Sequence, residues 1–201
     1  MPGIRWAGMI RGGMDGYQRG DLRPGAVPLP MPDSTGQLMA KAAVFLPLPM
    51  AVIFAAMLGK TLSSGQVVVS PLWVAAGVCA GFPALLLHEL LHALPYPKEA
   101  VVTIGFYPKA LAAVALVSYP LSRGRFVLMC LLPLVLGVVP MGLFLLAPAD
   151  WLGVNGFLFG FGVMGLVSPY PDIYNVYQVL WHTPKGCQVQ FWGDGLYYYS
   201  L

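Results

Sequence analysis

Apolar residues fall into four long runs separated by short polar or proline-rich breaks. The first run covers about Met39 to Leu58, between Lys41 and Lys60, and its Pro47 and Pro49 predict a kink or irregular turn within it. The second runs from about Pro71 to Leu94 and is closed by Tyr96-Pro97-Lys98. The third covers about Arg125 to Leu146 and holds Pro133 and Pro140; the turn Ala147-Pro148-Ala149-Asp150 follows. The fourth covers about Trp151 to Ser168 and continues into a polar-lined stretch, Tyr170 to Leu180, that carries Asp172 and Asn175. A helix of about 20 apolar residues crosses a hydrocarbon core about 30 Å thick, so each run predicts a membrane span.

The segments between and around the runs read differently. Ala100 to Ser122 is apolar but broken by Gly105, Pro108, Lys109 and Pro120. Its Val, Ile, Phe and Tyr content predicts two strands, about 101–106 and 111–119, as a small β-hairpin between the second and third spans. A further full span there would place Lys109 near its middle. Thr183 to Leu201 predicts a short C-terminal β-hairpin, with Gly193-Asp194-Gly195 near the turn. Met1 to about Asp21 holds six glycines and little periodicity, which predicts a flexible N-terminal segment. Leu22 to Ser34, with four prolines, reads as an extended approach to the membrane. The expected architecture is a mainly α membrane protein of about four transmembrane helices with two small hairpins: a flexible segment over 1–21, then a single polytopic domain over 22–201.

Composition agrees. Of 201 residues, 58% are hydrophobic and only 9% charged, against about 25% charged in soluble chains. Such a chain cannot clothe a water-facing surface, so its first partner is the lipid bilayer. The net charge of +3 comes from scattered basic residues with no clustered stripe, which gives no support to nucleic acid binding. With the N-terminus in the cytoplasm, Arg5, Arg11, Arg19, Arg23, Lys41, Lys98, Lys109, Arg123, Arg125 and Lys185 fall on the cytoplasmic side, and Lys60 alone falls opposite. That asymmetry obeys the positive-inside rule and predicts cytoplasmic termini. The N-terminus has no apolar core of a cleavable signal. Cys79, Cys130 and Cys187 form no C-x-x-C pair, and packing is the expected role of the two within spans, Cys79 and Cys130.

The chemistry concentrates in His88-Glu89-Leu90-Leu91-His92, near the end of the second run. Histidines four apart on a helix differ by about 40° in direction, so both imidazoles leave one face, a turn apart, and can share a zinc ion. Glu89 can take the proton of a water that zinc has acidified to a pKa of about 7. The chain has only three histidines and two glutamates, so three of these five residues fall in one pentapeptide of its most apolar part. Ionisable groups inside a membrane segment are costly and usually functional.

A catalytic zinc takes three protein ligands and keeps one position open. Beyond His92, setting aside Cys130 inside its span, the candidates are Glu99, Asp150, Asp172, His182, Cys187 and Asp194. Depth separates them. From Pro71 to His88 is 17 residues, as is Asn155 to Asp172, about 25 Å of helix each at ~1.5 Å per residue. If both spans enter from the same side, His88 and Asp172 reach similar depth, whereas Asp150 lies at the opposite face and Pro95 and Pro97 turn Glu99 away. Asp172 is the expected third ligand and His182 the reserve. Asp172 also suits the start of a helix, which does not exclude ligation, and Asn175, one turn on, can orient a ligand or a substrate carbonyl. Five glycines between Gly153 and Gly165, with the Gly156-x-x-x-Gly160 spacing, predict close helix packing.

The succession HELLHAL, TIGFYPKA, PLSRGRFVLMCLLPLVL, SPYPDIYNV and TPKGCQVQ resembles the putative zincin peptidase family of small bacterial membrane proteins, over about Pro28 to Leu201. That family in turn resembles the site-2 protease group, whose metal is held by the two histidines of HExxH and an aspartate on a later transmembrane helix. The resemblance implies His88, His92 and Asp172 as Zn²⁺ ligands, Glu89 as the base, a polypeptide substrate and a bacterial cell membrane. It departs from the site-2 pattern where Ile173, not glycine, follows Asp172, and there is no PDZ domain. The leading expectation is a zinc metalloprotease acting near the cytoplasmic leaflet, with an edge strand in 101–119 able to pair with an extended substrate. A membrane protein with a structural or regulatory zinc site is the alternative; a fourth strong ligand such as His182 or Cys187 would favour it, because structural sites are closed. A small transporter or assembly factor with a histidine proton relay is a third reading.

Overall fold

The structure is a computed structural model that describes residues 1–11, 15–18, 20–108 and 112–200. Arg19 and Lys109, both counted in the charge asymmetry, lie outside the described residues. Among the described residues, four helical stretches are long and apolar enough to cross a membrane: Pro47–Ser64, Pro71–Ala93, Arg123–Leu146 and Leu152–His182. With small sheets beside them they make a mainly helical fold.

The first long helix starts later than the apolar pattern predicts. Thr35–Ala42 forms a separate short helix, α1, and the spanning helix α2 is Pro47–Ser64. Pro47 and Pro49 therefore sit in the first turn and do not kink the span. A proline there loses no intrahelical hydrogen bond, because first-turn N–H groups have no partner within the helix. The helix continues through Thr61–Ser64, polar residues that read as loop, and stops at Gly65, whose left-handed φ of 68° lets its N–H return to the Thr61 carbonyl at 2.9 Å. The second span, α3, is one helix over Pro71–Ala93. The third divides into α4 (Arg123–Leu131) and α5 (Val135–Leu146), joined by a tighter turn, Leu132–Leu134, around Pro133. The fourth comprises α6 (Leu152–Val167) and α7 (Tyr170–His182).

The chain divides into two compact units. One consists of Ala43–His88 and Pro133–Tyr170 and is mainly helical; in its core Ile53, Ala56, Met141, Phe144 and Leu166 of the helices are buried together with Val68 of the connection between α2 and α3. Glycines set its packing. A Cβ on Gly160 would run into the Val74 carbonyl, and one on Gly77 into the Phe157 carbonyl, so α6 lies backbone to backbone on α3. Gly137 and Gly165 bring α5 equally close to α6. The Gly156-x-x-x-Gly160 spacing thus seats α6 on the helix that carries HELLH. Lys60 is buried in this unit, where its ammonium donates to the Phe144 carbonyl, to the Ala147 carbonyl at 2.8 Å and to Asn155 Oδ1 at 2.7 Å. It thereby serves the carbonyls that the end of α5 leaves without helical donors.

The other unit consists of Met1–Ala42, Glu89–Leu132 and Pro171–Leu201. Its first sheet has the order β1-β3-β4, formed by Gly3–Met9, Val101–Tyr107 and Ala112–Leu116. β3 and β4 run antiparallel, with Thr103 opposite Leu116. β1 runs parallel to β3 from Gly3 opposite Val101. Within the segment expected to be flexible, Gly3–Met9 thus forms a strand. Gly8, at φ 65°, sits at the shift in register, and Ile10 just beyond it is buried at 1% exposure against Gly105. The backbone hydrogen bonds, not an apolar alternation, make this strand, and glycine-rich sequence hides it. A second sheet, order β2-β7-β6-β5, is formed by Val27–Pro28, Gly195–Tyr199, Gln188–Trp192 and Leu121–Ser122, with β6 and β7 antiparallel. The buried Gln190 ties it together: it accepts from Tyr199 Oη at 2.7 Å and donates to Ser118 Oγ at 2.8 Å. Val102 and Ile104 of β3, Met129 and Cys130 of α4, Val176 and Val179 of α7, and Val189 of β6 share the core. Cys130 takes the packing role expected of it, while Cys79 is exposed.

Replacing Lys60 with Met removes the donor to three oxygens in the helical unit. The variant should lose about 1–3 kcal/mol of stability, read as a lower midpoint of thermal unfolding in detergent by tryptophan fluorescence; an unchanged midpoint would show that these contacts contribute nothing net.

Candidate metal centre

His88 and His92 lie one turn apart on α3, with 6% and 9% of their surface exposed. Asp172 lies in the first turn of α7, which begins at Tyr170, so it stands inside the helix and is not its cap. A carboxylate in that turn is favoured by the positive end of the helix dipole. The local sequence explains why the turn sits there: Pro171 fits a first helical turn.

His92 carries the clearest geometry. Its Nδ1 is 2.8 Å from the Met129 carbonyl of α4. A carbonyl only accepts, so in this contact Nδ1 is the donor and Nε2 is the nitrogen turned towards a ligand role. Nε2 is 3.4 Å from Asp172 Oδ1. Across His88, His92 and Asp172, one ligand-type atom from each residue lies within 4.8 Å of the others. Two imidazoles and one carboxylate are a donor set suited to zinc, and three protein ligands leave a position open. An imidazole held through its second nitrogen by a backbone carbonyl is the usual outer support of a metal-binding histidine. On the chemistry of its donors and the support of His92, the group fits zinc.

Other sequence candidates stand elsewhere. Glu99, Asp150 and Asp194 are exposed, and Cys187 is buried in the core of the sheet-containing unit. His182, the reserve ligand, is the last residue of α7; it is exposed, and its Nδ1 contacts the Gln178 carbonyl at 3.1 Å. It is not among the converging residues. Glu89, adjacent to His88, is part-buried. Asn175, one turn after Asp172, is buried, and its Oδ1 has no hydrogen-bond partner among the described residues. The Met129 carbonyl is the site feature that side-chain reasoning misses, since any residue type presents the same backbone oxygen.

Comparison with known proteins gives one relationship. A family model described as Putative zincin peptidase matches residues 81–188, which include HELLH and Asp172. No curated protein matches, and no solved structure matches.

Purified protein loaded with zinc should hold about one ion per chain, lost in His92→Ala and Asp172→Ala and kept in His182→Ala. Metal analysis after gel filtration checks this. Retention by Asp172→Ala with loss from His182→Ala would replace the third ligand.

Proposed function

This chain belongs to the putative zincin peptidase family, and on that premise we propose that it is a zinc-dependent, membrane-embedded peptidase. Its substrate is a membrane or membrane-associated polypeptide, and it cuts near the cytoplasmic leaflet. The observation that carries this reading is the convergence of His88, His92 and Asp172 beside a glutamate at the general-base position of HExxH.

Those three residues would hold the metal. Zinc bound there supplies a Lewis acid that polarises the scissile carbonyl and acidifies water. Glu89 accepts a proton from the attacking water as its oxygen bonds to the carbonyl carbon, and returns it to the amine as the C–N bond breaks. The Met129 carbonyl keeps the His92 ring in one orientation. Asn175 offers a buried acceptor, Oδ1, to a substrate N–H or to water. β4 is the outer strand of its sheet, with β3 between it and β1, which supports pairing of an extended substrate along β4. The β3 side of that sheet is taken by β1.

The charge asymmetry supports cytoplasmic termini. The placement of His182 and Cys187 away from the group weighs against a closed, structural zinc site, which would recruit a fourth protein ligand.

Glu89→Gln should keep the zinc and lose at least about 100-fold in turnover, measured on peptides cleaved by the wild type. Cleavage by the variant at the wild-type rate would refute the base assignment.

A further inference from the structure

We propose that β1 and β3 carry an apolar ledge that docks on the phospholipid bilayer, at the boundary between headgroups and acyl chains. The proposal rests on the membrane placement of the helices and is independent of the peptidase chemistry.

The register of the sheet builds the ledge. Residues paired across neighbouring strands point to the same face, and Ile4, Trp6 and Met9 of β1 pair with Val102, Ile104 and Phe106 of β3. All six therefore share one face. The shift in register before Gly8 preserves this, because Ile10, the residue after Met9, meets Gly105 on the other face. Val102 and Ile104 are fully buried in the core that also holds Ala93 of α3, Phe126 and Met129 of α4, and Val176 and Val179 of α7. Ile4, Trp6, Met9 and Phe106 lie beyond that core and remain 43%, 59%, 54% and 42% exposed. Single exposed apolar residues are ordinary, but four neighbours on one face form a patch that marks a contact surface.

Three observations choose lipid as the occupant. First, the ledge continues the face that turns to α3, α4 and α7, and those helices belong to stretches long enough to cross a membrane. What lies beside such helices beyond the protein is lipid. Second, the strand is amphipathic. Arg5, paired with Thr103, points to the opposite face, and Arg11 follows just beyond the strand; both are exposed. Residues 1–11 contain no acidic side chain. Guanidinium groups above an apolar face reach lipid phosphates while their stems cover apolar surface. Third, tryptophan gathers at membrane–water interfaces, and Trp6 is the most exposed of the four ledge residues.

Fluorine NMR of the full-length protein, labelled with fluorotryptophan and placed in phospholipid bicelles, tests this. The Trp6 resonance is the one lost in Trp6→Phe, and that of Trp73, half exposed on α3, the one lost in Trp73→Phe. A phospholipid with a nitroxide at the top of its acyl chain should bleach the Trp6 signal, and a water-soluble gadolinium chelate should spare it. Changing Ile4 and Met9 together to Asp should reverse both results, because carboxylates at that boundary lose hydration without a partner. A Trp6 signal bleached by the chelate and spared by the lipid would overturn the ledge. So would a signal spared by both, which would place protein over it, or one that the Asp changes leave unmoved. Trp73 separates the two failures: if it too escapes the lipid nitroxide, the membrane placement falls, whereas if it is bleached and Trp6 is not, only the ledge does.

Discussion

A single imidazole held from both sides organises the chemistry of this protein. His92 meets the Met129 carbonyl through Nδ1 and faces the Asp172 carboxylate through Nε2. The first contact makes Nδ1 a donor to a carbonyl; the second sets the Asp172 carboxylate 3.4 Å from Nε2. Both are needed because the ring is buried, where an unpaired polar atom costs about 1–3 kcal/mol. The end of α3, the last turn of α4 and the first turn of α7 must therefore keep their mutual positions, and the shared core of Ala93, Met129, Cys130, Val176 and Val179 keeps them there.

In lipid, water-driven burial contributes little to the packing of one helix on another, so contact must come from close fit and hydrogen bonds. The helical unit uses both. Gly77, Gly137, Gly160 and Gly165 allow backbone-to-backbone contact of α3, α5 and α6. Lys60 adds a cation to the carbonyl end of α5 and to Asn155. The sheet-containing unit is held by different means, a mixed apolar core and a buried glutamine whose amide is shared between Ser118 and Tyr199. The packing of the helical unit and the placement of His92 against Met129 and Asp172 thus rest on separate sets of residues.

What could be read from the chain follows from which signals are local. The HELLH pair needs only helical periodicity, and Asp172 follows from equal helix rise along two spans; both come together in one group. The glycine spacing of α6 was likewise legible, since a missing Cβ is itself the contact surface. The start of α2 was misread because Pro47 and Pro49 have opposite meanings in a first turn and in a helix interior, and hydropathy does not distinguish the two. β1 was missed because its pairing partner, Val101–Tyr107, lies nearly a hundred residues away and supplies the order that its own glycines do not. The Met129 carbonyl was invisible in principle, being backbone.

X-ray absorption at the zinc edge of the loaded, full-length protein tests the central claim most directly, because it reports the atoms around the metal without requiring a substrate. The account predicts a shell of nitrogen and oxygen only, near the usual ~2.0–2.1 Å, with the multiple-scattering signature of two imidazoles and no sulfur. A sulfur neighbour near ~2.3 Å, implicating Cys130 or Cys187, or a shell with fewer than two imidazoles, would contradict the site built on His88, His92 and Asp172.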